Sequence, residues 1–378
     1  MRESIPVVQI VNQFAIGGAE GQFVERLRRH PRGFRPIVAC LRREGPHLRT
    51  VEEELGLTVE EFPLRGSLVK ANTALQVLRL AALMRREGAR LIHAQDFYAN
   101  CLAVPAARLA GARAIVSRFD LGHWYSKAMH RCEILASRGA DAVYANANAV
   151  RDLCVHREGV DPARVEVVHN GLDLARFDAE QKRPLDPPLD IPDGPTIAIV
   201  ANLHPVKGHL DFCDAIALVK RRIPNVRVYS AGSGPMVPAV EARLRELGLD
   251  QQFFLLGHRL DCARLYGRVR VAALASHAEG LSNAIIEAMA ARLPVVATNA
   301  GGNAELVEDG VSGFVVPPRD PEAMARRLVQ LLEDAAAARA MGERGRARVE
   351  TDLTLERMSE RTGALYERVL GESVSRAA

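Results

Sequence analysis

At 378 residues, with 48% hydrophobic and 25% charged residues, the chain has globular composition, which excludes wholesale disorder and at roughly 100–200 residues per domain predicts two domains. Aromatic residues are only 5%, which argues against a stacking platform for single-stranded nucleic acid, so no nucleic-acid partner is expected. The net charge of +4 is uneven: residues 1–170 carry 24 Lys+Arg against 18 Asp+Glu, and residues 171–378 carry 26 against 28, so the positive half is a candidate for meeting an anionic surface or acceptor.

Val7 to Val11 reads as a buried strand, followed by Gly17-Gly18-Ala19-Glu20 and a helix to about Arg29. Pro36 to Leu41 is the next strand, and Thr73 to Arg86 has apolar residues at helical spacing. Further short strands are expected at Leu91–Ala94, Ala114–Ser117 and Ala142–Ala145. Residues 178–195 break the pattern with Pro184, Pro187, Pro188, Pro192 and Pro195, which reads as an interdomain linker. The alternation restarts with strands at Thr196–Ala201, Arg227–Ala231, Phe253–Leu256, Val271–Leu274 and Val295–Thr298, and ends in an amphipathic helix from Thr354 to Leu370. Strand–helix alternation predicts parallel sheets covered on both faces. The expected fold class is therefore α/β, with two tandem doubly wound, Rossmann-like domains facing a cleft. The expected bounds are 1–180 for the first domain, 181–195 for the linker, 196–351 for the second domain, and 352–378 for a helix returning to the first domain.

The six cysteines are scattered with no C-x-x-C pair, which indicates neither a zinc site nor a disulfide framework. A reducing cytoplasm fits them. No stretch approaches the ~18–20 apolar residues of a membrane span, and the run Ile5–Val11 is too short for a signal-peptide core. The expected location is cytoplasmic, with peripheral contact at the inner face of the membrane allowed by the basic first half.

The chemistry concentrates at Ser276 to Gly313. A strand runs into Glu279-Gly280-Leu281-Ser282-Asn283, and a helix carrying Glu287 opens there. Gly280 permits close backbone approach, Ser282 or Asn283 can cap the helix, and the free N–H groups of its first turn form an anion site. Carboxylates accept hydrogen bonds from sugar hydroxyls, so an anion site flanked by Glu279 and Glu287 has the shape of a sugar-nucleotide pocket. The plainer alternative is a loop charge and an exposed helix residue. Lys207, in Asn202-Leu203-His204-Pro205-Val206-Lys207-Gly208, follows the first strand of the second half and can neutralise a diphosphate there, or be a solvated loop lysine. Gly17 and Gly18 allow a ligand close to backbone at a helix start, or form a plain turn. Gly232-Ser233-Gly234 lacks the third glycine of a dinucleotide fingerprint. There is no nucleophile elbow, no P-loop and no D-x-D pair for a metal–diphosphate contact. No metal site and no cofactor are expected, the nucleotide-sugar being a substrate.

At these residues the chain resembles the family 4 glycosyltransferases, retaining enzymes of GT-B fold. The resemblance is carried by the E-x7-E of Glu279 and Glu287, by Leu293-Pro294-Val295-Val296-Ala297-Thr298, and by Gly301-Gly302-Asn303-Ala304-Glu305. Gly17-Gly18-Ala19-Glu20, His169-Asn170-Gly171-Leu172-Asp173 and Val206-Lys207-Gly208 add to it. It implies that Glu279 contacts the donor sugar and that Gly280, Leu281, Ser282 and Asn283 present amides to sugar and phosphate. It implies that Glu287 binds the ribose, Lys207 holds the diphosphate, and Gly17 and Gly18 line the cleft. Gly257 and Arg259 would lie near the base. Asn202 stands where the family often has an arginine, leaving Arg259 or Arg118 as the substitute cation. A family histidine has no clear counterpart, and Asp120 and His123 are both candidates for its role. The implied activity moves a hexose from a UDP- or GDP-linked donor, UDP slightly ahead, to an acceptor hydroxyl on a lipid-linked or saccharide partner, in polysaccharide or glycoconjugate synthesis. The competing readings are a GT-B nucleotide-sugar epimerase and a catalytically degenerate nucleotide-sugar-binding subunit.

Overall fold

The computed structural model describes residues 4–64, 68 and 70–371, so the end of the expected tail, 372–378, lies outside the described residues. The chain divides into two compact units, Met1–Gly171 with Leu355–Ala378, and Leu172–Thr354.

The first unit holds a seven-stranded sheet: β1 Ile5–Val11, β2 Phe34–Cys40, β3 Val59–Glu61, β4 Leu91–Gln95, β5 Arg113–Arg118, β6 Ala142–Ala145 and β7 Val165–Val167. Their order is β3-β2-β1-β4-β5-β6-β7 and every pairing is parallel. β1 and β4 are buried along nearly their whole length, as strands covered on both faces must be. On one side Phe23, Val24 and Leu27 of the helix Gly18–Arg28 pack with Val11, Val38 and Cys40. On the other, Leu355, Met358, Leu365 and Tyr366 of the last helix, Leu355–Leu370, pack with Val7, Leu91, Ile115 and Tyr144. Tyr366 is fully buried; its hydroxyl lies 2.7 Å from His93 Nδ1 and accepts from Gln9 Nε2 at 2.9 Å. The final helix is thus stitched into the first unit's core by polar as well as apolar contacts.

The second unit repeats the plan with β8 Thr196–Val200, β9 Arg227–Ala231, β10 Phe253–Leu255, β11 Val271–Leu274, β12 Val295–Thr298 and β13 Gly313–Val316. Their order is β10-β9-β8-β11-β12-β13, again parallel throughout. The helix His209–Arg222 buries Phe212, Cys213, Ile216 and Val219 into this core. Asp320 and Asp334 cap the two helices Pro321–Glu333 and Ala335–Asp352, accepting from Ala323 N at 2.8 Å and Ala337 N at 2.9 Å.

The Pro-rich stretch is not the divider that composition suggests. The chain crosses between units at Gly171–Leu172 and Thr354–Leu355, and it enters and leaves the second unit side by side, Leu172 N donating to Leu353 O at 2.9 Å. The 181–195 stretch belongs to the second unit and is held there. Pro184 O accepts from Arg264 at 2.8 Å, Asp186 N donates to Asp261 at 2.9 Å, and Pro187 O accepts from Arg259 at 3.0 Å. Proline removes backbone donors and so reads as linker in a sequence, but its carbonyls remain available to arginines. Among the described residues no helix is long and apolar enough to cross a membrane.

Candidate active site

In each sheet the strand order reverses direction next to the first strand, between β1 and β4 and between β8 and β11. Ligands of doubly wound sheets bind at the carboxyl ends of the strands at this switch point.

In the second unit the switch point is built from two loops. β8 leads through Asn202 to the short turn Pro205–Lys207, and β11 leads through Ser276 to Glu279 and the helix Asn283–Ala290. The loops touch. His277 N donates to Val206 O at 2.7 Å, and a Cβ at Gly208, whose φ is +65°, would stand 2.1 Å from Ala275 O. Only glycine allows that approach, so Gly208 sets the distance at which Lys207 meets Glu279. Lys207 Nζ donates to Glu279 Oε1 at 2.6 Å, and Ser276 Oγ donates to the same oxygen at 2.7 Å. The Lys207 side chain is 25% exposed and that of Glu279 10%, so the pair is accessible to a ligand yet poorly screened. Behind the pair, burial first and the Lys207 charge second lower the His209 imidazole to about 4, keeping it neutral.

The Glu279 loop is held from its other side by Gly302 N donating to Gly280 O at 2.8 Å and by Thr298 Oγ1 donating to Ser276 O at 2.5 Å. Gly280, Leu281 and Ser282 are buried and Asn283 is half-buried. Ser282 occupies the N-cap of the helix but its side chain accepts no capping hydrogen bond. One turn on, Glu287 is half-buried, and desolvation pushes its carboxyl up to about 7. It is neither an exposed charge nor part of the ion pair.

Asn202 is exposed and Gly257 is exposed, with Gly257 O accepting from Gly232 N at 2.8 Å. Arg259 is committed: its Nε and Nη2 both reach the Asp261 carboxylate at 2.7 Å, and Nη2 also reaches Pro187 O. Arg118, the other substitute cation, is 2% exposed and bound to Glu158 through Nη1 at 2.5 Å and Nη2 at 2.9 Å. Both guanidiniums are thus paired with carboxylates of their own units.

In the first unit the switch point is a pocket of about 220 Å³ lined by Asn12, Glu20, Asp96, Asp120 and a set of aromatic rings. Gly17 and Gly18 start the helix beside it, but that helix start already has an anion. Glu20 folds back so that its Oε2 would lie 2.2 Å from a Cβ at Gly17, and it accepts from its own backbone N–H. Asp120 organises a turn, Oδ1 accepting from Gly122 N at 2.7 Å and Oδ2 from Trp124 Nε1 at 3.0 Å. His123 is exposed on that turn and is not among the lining residues. Sequence reasoning missed Asp96. It follows β4 directly, carries φ +78°, and burial first, with the Glu20 charge next, raises its carboxyl to about 7. Its place just past a parallel strand was the available signal; its backbone conformation was not.

Residues 17–176 match the family model described as Glycosyltransferase Family 4, and residues 194–334 match Glycosyl transferases group 1. A D-inositol 3-phosphate glycosyltransferase of Mycobacterium marinum is 31% identical over 244 residues, 62% of this chain and 51% of that protein. A glycogen synthase of Mycobacterium tuberculosis is 27% identical over 243 residues, 64% of this chain and 57% of that protein. The chain spans about half the length of these curated relatives. Among solved structures, Anabaena HepE in complex with UDP-glucose superposes with a TM-score of 0.84 at 22% identity, covering 97% of this chain and 100% of that chain. Sucrose-phosphate synthase from Thermosynechococcus elongatus gives 0.78 at 20% identity, covering 98% and 100%. These likenesses establish the GT-B fold.

Proposed function

This chain belongs to the family 4 glycosyltransferases, and we propose that it moves a hexose from a UDP- or GDP-linked donor to an acceptor hydroxyl with retention at the anomeric carbon. The observation that carries this reading is the Lys207–Glu279 pair at the β8/β11 switch point, beside a helix start without a side-chain cap. Lys207 and the N–H groups before Glu287 would take the charge that grows on the diphosphate as the C1–oxygen bond breaks. Glu279 would exchange its ion pair for hydroxyls of the donor sugar, and Glu287 would receive the ribose hydroxyls. The new bond forms between C1 and the acceptor oxygen, whose proton passes to the leaving phosphate oxygen on the same face. No carboxylate is then consumed as a nucleophile.

HepE supports a UDP-linked donor, since it was crystallised with UDP-glucose. The two family matches favour transfer over the epimerase reading. Thermal shift with UDP, GDP and their glucose and mannose conjugates identifies the donor, because a ligand of the folded state raises its apparent stability. Label transfer from that donor to any saccharide or lipid-linked acceptor then separates an enzyme from a binding-only subunit. A donor that binds but never loses its sugar would overturn the proposed activity.

A further inference from the structure

The first unit's pocket sits at the carboxyl ends of β1, β4 and β5, and three features define its chemistry. Three carboxylates line it; Asp120 is taken up by Gly122 N and Trp124 Nε1, which leaves Glu20 and Asp96. Asp96 accepts from the Asn12 backbone N–H and is held at φ +78°, a conformation unfavourable for a residue with a side chain. Burial raises the carboxyls of both above their ordinary range. The walls carry Phe97, Tyr98, Phe119, Trp124 and Tyr125. Trp124 is 53% exposed and is oriented by the Asp120 hydrogen bond and by edge contact with Tyr125 at 4.4 Å between centroids. The one lysine or arginine among the lining residues is Arg118, whose two terminal nitrogens are both spent on Glu158.

With hydrogen-bond acceptors, flat apolar faces and, among the described residues, no available cation, the pocket suits a molecule with many hydroxyls and no negative charge. A phosphate entering here would meet three carboxylates in a reduced dielectric, with no lysine or arginine free among the described residues to offset its charge. A pyranose has what the lining asks for: hydroxyls to donate and a C–H face to lay on a ring.

We propose that this pocket binds the acceptor as an uncharged sugar unit, with Glu20 and Asp96 receiving its hydroxyls and Trp124 its ring face, and that it rejects phosphorylated sugars. The proposal rests on the reading of the chain as a glycosyltransferase only for the word acceptor; the ligand class follows from the lining. It places the excess positive charge of residues 1–170 outside the pocket and gives Asp120 the task of positioning Trp124.

Trp124 is the only tryptophan of the chain, so its fluorescence reports on the pocket directly. The full chain is titrated with the methyl α-glycosides of glucose, galactose and mannose and with the corresponding 6-phosphates, without donor. At least one neutral glycoside should shift the emission saturably, and its 6-phosphate should bind at least about ten-fold more weakly. Asp96→Asn retains a residue tolerant of positive φ, and Asp96→Asn and Glu20→Gln should each weaken the neutral sugar about ten-fold, the loss of one hydrogen bond to a charged group. Both should leave the thermal shift produced by UDP unchanged, which also shows that the variants fold. In transfer assays the same variants should raise the acceptor KM more than they lower kcat. Equal or tighter binding of the 6-phosphates, no response to any neutral glycoside, or unaltered sugar affinity in both variants would each overturn the proposal. Sugar binding without any transfer would instead overturn the proposed activity and leave this ligand assignment standing.

Discussion

Lys207 and Glu279 lie 72 positions apart, and each stood out as a loop residue beside a parallel strand. Their contact did not, because it depends on Gly208 letting one loop rest on the other. In the ion pair each side chain is pre-positioned, and a donor would draw Lys207 toward the diphosphate and Glu279 toward the sugar. Lys207→Ala is therefore expected to lower kcat roughly a hundred- to a thousand-fold at saturating donor, the magnitude of a lost electrostatic stabiliser. Single-turnover transfer measures it, and a normal rate at saturation would remove Lys207 from the chemistry. Glu287 makes a pH prediction. Its carboxyl titrates near ~4.3 in an unfolded chain but at about 7 when folded, so the folded state holds an extra proton between those values. That contribution to stability is complete at low pH and is lost as pH rises through the window. Glu287→Gln should flatten the pH dependence of the unfolding midpoint and be the more stable protein in mild alkali. If the ionised form receives the ribose hydroxyls, UDP affinity should grow from about pH 6 to about pH 8 in the wild type, and less in Glu287→Gln. Calorimetric titration across that range, with both proteins, checks it. Asp96 was illegible for the opposite reason: one carboxylate after a strand looks like a turn residue until its dihedrals are known.

At the scale of elements, the interior strands were legible and, of the four edge strands, only β10 was. β6, β9, β11 and β12 have the bounds their apolar runs suggest. β3, β7 and β13 escaped notice, and all three lie at sheet edges. β3 and β7 have three residues each and carry Glu60, Glu61 and Glu166, because an edge strand faces water along one side and tolerates charge. The end of β5 gave a different lesson. Arg118-Phe119-Asp120 looked like a site where a family histidine was missing, yet Arg118 is a buried strut joining β5 to Glu158 through a two-pronged ion pair. Removing Glu158 leaves the buried Arg118 only the longer carboxylate contact to Glu133, at 3.5 Å from its Nε. Glu158→Ala should thus cost about 3–5 kcal/mol of stability, read from the denaturant midpoint of the whole protein. A variant as stable as the wild type would show that Arg118 finds other company, and would reopen it as a ligand for phosphate.

For the molecule as a whole, two charge arguments have direct tests. If Lys207 and the start of the helix Asn283–Ala290 take the leaving-group charge, as proposed, transfer survives EDTA; loss on chelation with recovery on adding magnesium or manganese would assign that charge to a cation. The +6 excess of residues 1–170 should draw the protein onto vesicles rich in anionic headgroups at low ionic strength and release it at high. Sedimentation with such vesicles decides it, and no binding at low salt would leave the excess as solvated arginines. The first crossing was read too late in the chain, since prolines pinned by Arg259 and Arg264 resemble a tether until their carbonyl partners are seen, while the return of the last helix was read close to its place. The true crossings, at Gly171–Leu172 and Thr354–Leu355, bear on how the protein is made. A ribosome delivers the chain from its N-terminal side, so β1 to β7 emerge before the second unit while the helix that seals Val7, Leu91 and Tyr144 emerges after it. Throughout translation of Leu172–Thr354 the nascent first unit has an open apolar face and Gln9 and His93 without their tyrosine. The later half is continuous and can complete its core while the earlier half waits. Maturation of the two units thus runs opposite to the order of their synthesis, and a premature stop codon just before Leu355 would spare the second unit's core and leave the first unfinished.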